Sequence, residues 1–477
     1  MLFNSIEYLL FLPIVFILYW FALRRNISAQ NALLVAASYF FYSWWDYRFL
    51  ALIFLSTLVD YFVGLALEKV VNKQQRKFLV ATSLIVNLGM LGFFKYYNFF
   101  IESWIEAWET LGVEMQVSTL QIILPIGISF YTFQTLSYTL DIYKNKIKPT
   151  HSFLDFAAFV AFFPQLIAGP IERAADLLPQ FSIKRVFNFE RATSGLHLIL
   201  WGLFKKIVIA DSCGTYVNAI FDNYQDMNSM TLLLGVVYFS FQIYGDFSGY
   251  TDIATGTARL FGFELTRNFN YPYFSRNIAE FWRRWHITLF SWFRDYIYIP
   301  LGGSRGGKAN KIRNVFIVFF ISGLWHGAKW TILVYSLVHA ILFLPLLLGK
   351  RNRKNLDQVA ENRVLPSFKE FFQISVTYSI VTLTWVLFRA DSIPIAIDYY
   401  KRIFFNFGFR IQHLVLDRYS VEIVVVLALF VLLEWFNRKY EHPFRGKLKW
   451  VKIIGVLLLL ISLGVYSDNQ QFIYFQF

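Results

Sequence analysis

One cysteine in 477 residues, Cys213, can form neither an internal disulfide nor a cysteine-based zinc site. A disulfide-stapled secreted scaffold is thereby excluded, and so is thiol redox chemistry. Charge is also scarce: Asp, Glu, Lys and Arg make up 16% of the chain, against about 25% in an ordinary soluble domain. With 57% hydrophobic and 20% aromatic residues, this rules out a soluble globular enzyme and a disordered regulator. There is no H-E-x-x-H and no close spacing of histidine and carboxylate, so catalytic zinc is not expected. The first apolar run has nothing basic before it and carries Glu7 inside it. It lacks the basic n-region of a signal peptide, and a retained helix is expected. Repeats, low-complexity tracts and long polar stretches are missing as well, which predicts one integral domain over residues 1–477.

What the chain does have is apolar runs of roughly 17 to 22 residues separated by charged clusters. That length lets a helix rising 1.5 Å per residue cross a hydrocarbon core of about 30 Å. The clear runs are 8–23, 31–45, 49–67, 78–94, 120–138, 231–244, 330–348, 371–388, 421–436 and 451–466; weaker ones are 153–168, 195–210 and 315–325. The expected fold is an all-α polytopic membrane protein, with roughly 10 to 12 transmembrane helices and further re-entrant or interfacial helices around a central cavity. The formal charge of +14 is that of basic loops and does not indicate nucleic acid. Clusters at 24–25, 69–77, 144–148, 305–313, 350–354 and 438–449 should be cytoplasmic. Loops bearing Glu102, Glu106, Glu109 and Glu114, then Asp211, Asp222 and Asp226, should lie opposite, with the N-terminus outside.

The stretch 242–339 departs from this pattern. Asp246, Asp252, Arg283, Arg284, His286, Arg294, Asp295 and His326 stand there among Trp, Phe and Gly. Ionisable groups at membrane depth mark a cavity or a pathway. Gly245, Gly249, Gly256, Gly302, Gly303, Gly306 and Gly307 punctuate the segment, which predicts broken helices enclosing a wet interior. Gly302 to Lys308 reads GGSRGGK, the first seven positions of a P-loop, but Ala309 replaces the magnesium-binding hydroxyl and no strand precedes it. A basic cytoplasmic loop is expected, its Arg305, Lys308, Lys311 and Arg313 available to lipid head groups or an anionic cofactor. GDFSG at Gly245 to Gly249 is not a nucleophile elbow, because its serine stands one place late and there is no sheet to cap.

His326, in GLWHGAKW, lies twelve residues beyond Asn314, a depth of roughly 18 Å along a helix. Gly323 and Gly327 beside it would let a ligand reach the imidazole, and a titratable group there is a candidate for catalysis. For His286, the positions Trp282, His286, Leu289, Phe290 and Phe293 predict one continuous interfacial or re-entrant helix with those residues on one face. Arg283 and Arg284 would bind a phosphate or lipid, or else snorkel. His197 and His339 are expected to be packing residues.

The segments FFPQLIAGPIER (162–173), QIYGDFSGYTDIATG (242–256), FWRRWHITLFSWFRDYIYIPLGG (281–303), GLWHGAKW (323–330) and WVLFRA (385–390), with the MLFNS start and FIYFQF end, resemble the membrane-bound O-acyltransferase superfamily. The similarity runs over essentially the whole chain and is greatest to the bacterial branch of alginate and peptidoglycan O-acetyltransferases. The resemblance implies that His326 is catalytic and that His286 is the second polar catalytic residue. Arg283, Arg284, Trp285, Trp325, Asp246 and Asp252 are then expected to bind substrate. It also implies no permanently bound cofactor, acetyl-CoA or another acyl thioester as cytoplasmic donor, and location in the bacterial inner membrane among its lipids. An exported acetyltransferase and polysaccharide assembly proteins would be partners. A neutral imidazole, with pKa near 6.5, suits the proton transfers of acyl transfer to a hydroxyl. Alginate-like acceptors lead, with peptidoglycan O-acetylation and teichoic acid D-alanylation as alternatives. A transporter would share the broken helices and buried polar residues, but no internal repeat accompanies them.

Overall fold

A computed structural model describes residues 1–115, 120, 122–408, 411–412, 422–466 and 472–473. Val421 of one expected span, residue 121 of another, and residues 474–477 of the FIYFQF terminus lie outside the described residues. Those described form helices and turns, with no strand among them. They divide into two compact units, Met1–Leu196 with Ala254–Thr266, and His197–Ile253 with Arg267–Phe477.

The first unit contains α1 (Ile6–Ile17), α2 (Ile27–Asp46), α3 (Leu50–Lys69), α4 (Lys73–Glu109), α5 (Ile128–Tyr143), α6 (Phe153–Val160), α7 (Ala174–Ser182) and the start of α8 (Phe189–Leu203). Side-chain oxygens of Asn26, Asn72 and Ser152 accept the first free N–H groups of α2, α4 and α6, as N-caps do. α1 exposes Ile6, Leu9, Leu10 and Ile14, a surface suited to lipid. Buried Asp60 on α3 accepts hydrogen bonds from Asn87 Nδ2 on α4 and Thr139 Oγ1 on α5, each at 2.7 Å, and from Ser83. A fully partnered polar network of this kind ties three apolar helices in one register.

Three expectations fail in this unit. The run 120–138 is helical only from Ile128, because Pro125 and Gly127 precede it. The acidic residues Glu102, Glu106 and Glu109 are not in a loop, since α4 continues through them for 37 residues. The run 153–168 is helical for only eight residues, about 12 Å of rise, and then folds as buried turns.

The second unit holds the rest of α8, α9 (Asp211–Asp222), most of α10 (Ser229–Leu260), α11 (Ile278–Arg284), α12 (Ile287–Phe293), α13 (Gly307–His326), α14 (Trp330–Leu348), α15 (Phe368–Arg389), α16 (Ile393–Phe405), α17 (Glu422–Asn437) and α18 (Lys449–Leu463). Between α8 and α9 the chain is π-helical over Phe204–Ala210. Helical stretches long and apolar enough to span a membrane are Ile27–Lys69, α4, α10, α14 and α15, with shorter apolar helices at Ile6–Ala22 and Ile423–Asn437.

Gly245 and Gly249 do not break α10, contrary to expectation. They bring it against the α8 end of the chain: a Cβ on Gly249 would stand 2.7 Å from the Gly202 carbonyl oxygen, and one on Gly202 would stand 2.5 Å from that of Gly249. Where lipid competes equally for apolar surface, such close backbone approach is a main source of helix association.

Candidate active site

The two histidines singled out by sequence come together. His326 is the last residue of α13, and the N–H of Gly327 closes the helix on the Gly323 carbonyl at 3.1 Å. The helix is unbroken from Asn314 to His326, so the estimated rise between them stands. Gly323 serves helix packing and not ligand access: a Cβ there would lie 2.9 Å from Ser336 Oγ on α14. The imidazole centroids of His286 and His326 are 6.2 Å apart, and both residues are buried. Trp325 lies against both, at 5.3 Å from His286 and 5.0 Å from His326. Phe388 adds an edge at 5.9 Å from His326.

His286 does not ride on one continuous helix. It separates α11 from α12, with φ 46° and ψ 51°, a left-handed conformation that is uncommon for a residue with a side chain. The broken helix directs the ring differently from its neighbours on the expected stripe. Asn268 holds the bend. Its carbonyl oxygen accepts the Ile287 N–H at 2.9 Å, and its Oδ1 accepts from Thr288 Oγ1 at 2.9 Å and Thr288 N at 3.3 Å. The same Oδ1 is 3.1 Å from His286 Nδ1. Because the Thr288 N–H can only donate, that amide atom is the oxygen. His286 Nδ1 is then the protonated nitrogen and Nε2 the acceptor. Sequence reading missed Asn268, which lies in an irregular stretch without periodicity.

α10 supports this pair from behind. Phe247 packs edge-on to His286 at 4.7 Å, and Tyr244 lies 6.1 Å from Trp285. Asp252 and Asp246 are engaged by lysines: Lys205 Nζ is 2.6 Å from Asp252 Oδ2, and Lys206 Nζ lies 2.8 Å from Asp211 and 2.9 Å from Asp246. Asp246 Oδ2 also accepts the Ile473 N–H at 2.6 Å, and Phe472 packs against Phe247 and Tyr250. The two lysines occupy the π-helical segment, a distortion often found near functional sites. Their signal was in the sequence, as two adjacent cations inside an apolar run.

The neighbouring arginines have separate surroundings. Arg284 donates to Glu280 Oε1 at 2.8 Å and to the Asn270 carbonyl at 3.2 Å; Glu280 also pairs with Arg276, which reaches Asp357. Beside Arg276, the Asp357 carboxyl is held below the usual carboxylate range. Arg283 donates to the carbonyls of Asn352, Lys354 and Asn355. It also lines a cavity of about 640 Å³ with apolar walls at Trp282, Phe290 and Phe319, and with Arg294, Lys311, Lys350 and Arg353 as further cations. Arg284 is not part of that lining. His339 is, as expected, a packing residue, 2.9 Å from Thr384 Oγ1 and edge-on to Trp282. His197 lies beside His442, the ring centroids 5.0 Å apart and the rings tilted. Among the described residues no group of three or more His, Cys, Asp or Glu is placed to hold a metal ion.

Comparison with known proteins bears on the family. The chain is 38% identical over 94% of its length to a probable alginate O-acetylase AlgI of Pseudomonas aeruginosa, covering 84% of that protein. It is 35% identical to the corresponding Pseudomonas putida protein over the whole of both chains. A Helicobacter pylori peptidoglycan O-acetyltransferase is 32% identical over all of this chain and 98% of its own. Residues 42–380 match the family described as MBOAT, membrane-bound O-acyltransferase. The chain belongs to the membrane-bound O-acyltransferase family, and its activity is O-acyl transfer.

Proposed function

We propose that this O-acyltransferase takes an acetyl group from a cytoplasmic thioester, acetyl-CoA or a related donor, and passes it across the bacterial inner membrane for O-acetylation of an exported, alginate-like polysaccharide. Both units then belong to one integral domain. An exported acetyltransferase and polysaccharide assembly proteins act with it, and membrane lipids surround it. The observation that carries this reading is the pair of buried imidazoles 6.2 Å apart, on a chain whose relatives are named for acetylating alginate and peptidoglycan.

In the proposed step His326 takes the proton of the acceptor hydroxyl as its oxygen attacks the thioester carbonyl. The tetrahedral adduct expels the thiolate, which receives that proton from the imidazolium, leaving ester and free thiol. His286, its Nδ1–H directed to Asn268, offers Nε2 as the second polar group. Aromatic walls of Trp285 and Trp325 keep water from the thioester. Arg283 contributes to the basic mouth of the 640 Å³ cavity, where the donor's phosphates would be met. Asp246, Asp252 and Arg284 support the pocket through their ion pairs.

The test is His326→Ala, read as acetyl content of the exported polymer normalised to membrane-inserted protein. Loss of a general base is worth roughly 10²- to 10⁴-fold, so acetylation should fall close to background while insertion is kept. His286→Asn should retain more activity than His286→Ala. Wild-type acetylation by His326→Ala would place the chemistry elsewhere, and loss of the protein from the membrane would make His326 structural.

A further inference from the structure

In the first unit, apart from the histidine pair, the α7–α8 loop and the end of the first helical run enclose a cavity of about 630 Å³. Its walls are aromatic, from Phe16, Trp20 and Phe187. Its charged lining is wholly basic: exposed Arg24, Arg25 and Lys184, and buried Arg185.

Arg185 is the unusual group. It is only 7% exposed, yet it makes no ion pair among the described residues. Its Nη2 donates to Asn31 Oδ1 at 2.7 Å, while Nε and Nη1 are buried and have no acceptor among the described residues. The nearby carboxylate, Asp155, is occupied by Asn31 Nδ2 at 2.7 Å and Ser182 Oγ at 3.1 Å. The guanidinium is fixed between the rings of Tyr19 and Phe263, 5.6 and 5.0 Å from their centroids. A buried charge with unmet donors is costly unless a counter-charge arrives.

The surroundings say which anion fits. Phe21, Val186 and Phe187 line the site and are 74%, 76% and 45% exposed. A soluble anion would gain nothing from these side chains, whereas a lipid covers them with its chains while its head group meets the cations. Arg24 and Arg25 belong to a cluster that the positive-inside rule assigns to the cytoplasmic leaflet, and basic pockets between helices on that side are suited to acidic lipid head groups.

We propose that this cavity binds the phosphate of an anionic phospholipid, with Arg185 Nε and Nη1 donating to its oxygens and the acyl chains lying over Phe21 and Val186. The site is distinct in its residues from the donor cavity lined by Arg283, and it stands whether or not that cavity holds the thioester.

The experiment uses the full-length protein in detergent, titrated with phosphatidylglycerol, phosphatidylcholine or inorganic phosphate, and read by native mass spectrometry and thermal stability. Phosphatidylglycerol should be retained and should raise the melting temperature, and the other two should not. Arg185→Gln should weaken phosphatidylglycerol at least about tenfold, since it removes one or both of the charge-assisted hydrogen bonds from Nε and Nη1. Arg24→Gln with Arg25→Gln should weaken it about fivefold per residue. Should Arg185→Gln fail to fold through loss of its Asn31 contact, the exposed double variant decides alone. Equal affinity for phosphatidylcholine would overturn the proposal. So would equal stabilisation by inorganic phosphate, or unchanged phosphatidylglycerol affinity in a folded variant.

Discussion

Replacing Asn268 by Ala removes one atom, Oδ1, that serves His286 Nδ1, Thr288 N and Thr288 Oγ1 at 3.1, 3.3 and 2.9 Å. The threonine hydroxyl can rotate to another acceptor, but the imidazole N–H and the backbone N–H stay buried without one. At roughly 1 to 3 kcal/mol for each unsatisfied buried donor, the variant should lose about 2 to 6 kcal/mol. The left-handed backbone at His286 is itself a source of about 1 to 3 kcal/mol of strain that only its surroundings hold in place. Relief of that strain should let the ring leave its position, and misplacement of a reacting group by about 1 Å is worth on the order of 10² in rate. Asn268→Asp keeps an acceptor at the same place and should preserve the bend. The assay pairs a thermal melt in detergent with acetyl content of the exported polymer per inserted protein. A melt and an acetylation level both equal to wild type in Asn268→Ala would refute the view that this side chain sets the His286 geometry.

Gly249→Leu should lower stability by about 1 to 3 kcal/mol, because its side chain would be forced onto the Gly202 backbone; an unchanged melt would show that these segments separate freely. Arg283→Gln should raise the apparent KM for the thioester more than it lowers kcat, whereas Arg284→Gln should act on stability, by about 3 to 5 kcal/mol for a broken buried pair with Glu280; steady-state kinetics beside a melt separate the two, and the reverse pattern would exchange their roles. The Asp357 carboxyl is depressed by Arg276, so its contribution is present above the unfolded value near 4 and disappears as pH falls through the lower folded value. Wild type should therefore lose stability below about pH 4 more steeply than Asp357→Asn, and parallel acid profiles would count against the pairing. A single cysteine at position 308, in a Cys213→Ser background, should resist an impermeant reagent in intact cells, and strong labelling from outside would invert the map.

Hydropathy and residue spacing were enough to identify the spanning helices of simple composition. The run 330–348 is α14 to the residue, and 371–388 lies within α15. His326 was also legible as a candidate, because ionisable groups within apolar, aromatic surroundings are too costly to be incidental. The same signal was overlooked at Lys205 and Lys206, where two charges inside an apolar run were read as a weaker span. Family motifs supplied His286, since its spacing alone suggested an ordinary stripe on a continuous helix.

Other features were decided by contacts between residues far apart in the chain. Glycines read as breaks in α10 prove to be points of backbone contact, a difference that depends on whether another helix is present. Conversely, the break at His286 occurs in a sequence with good helical periodicity, because Asn268, eighteen residues earlier, captures N–H groups that would have continued the helix. Arg283 and Arg284 are neighbours of one residue type, yet one lines a cavity and the other is taken up by Glu280. Composition and periodicity sum over a local window and so determine that this chain enters a membrane and where its helices run. The direction of a ring, the partner of a charge and the role of a glycine are set by which distant backbone or carboxylate comes within about 3 Å, and only the folded chain brings those groups together.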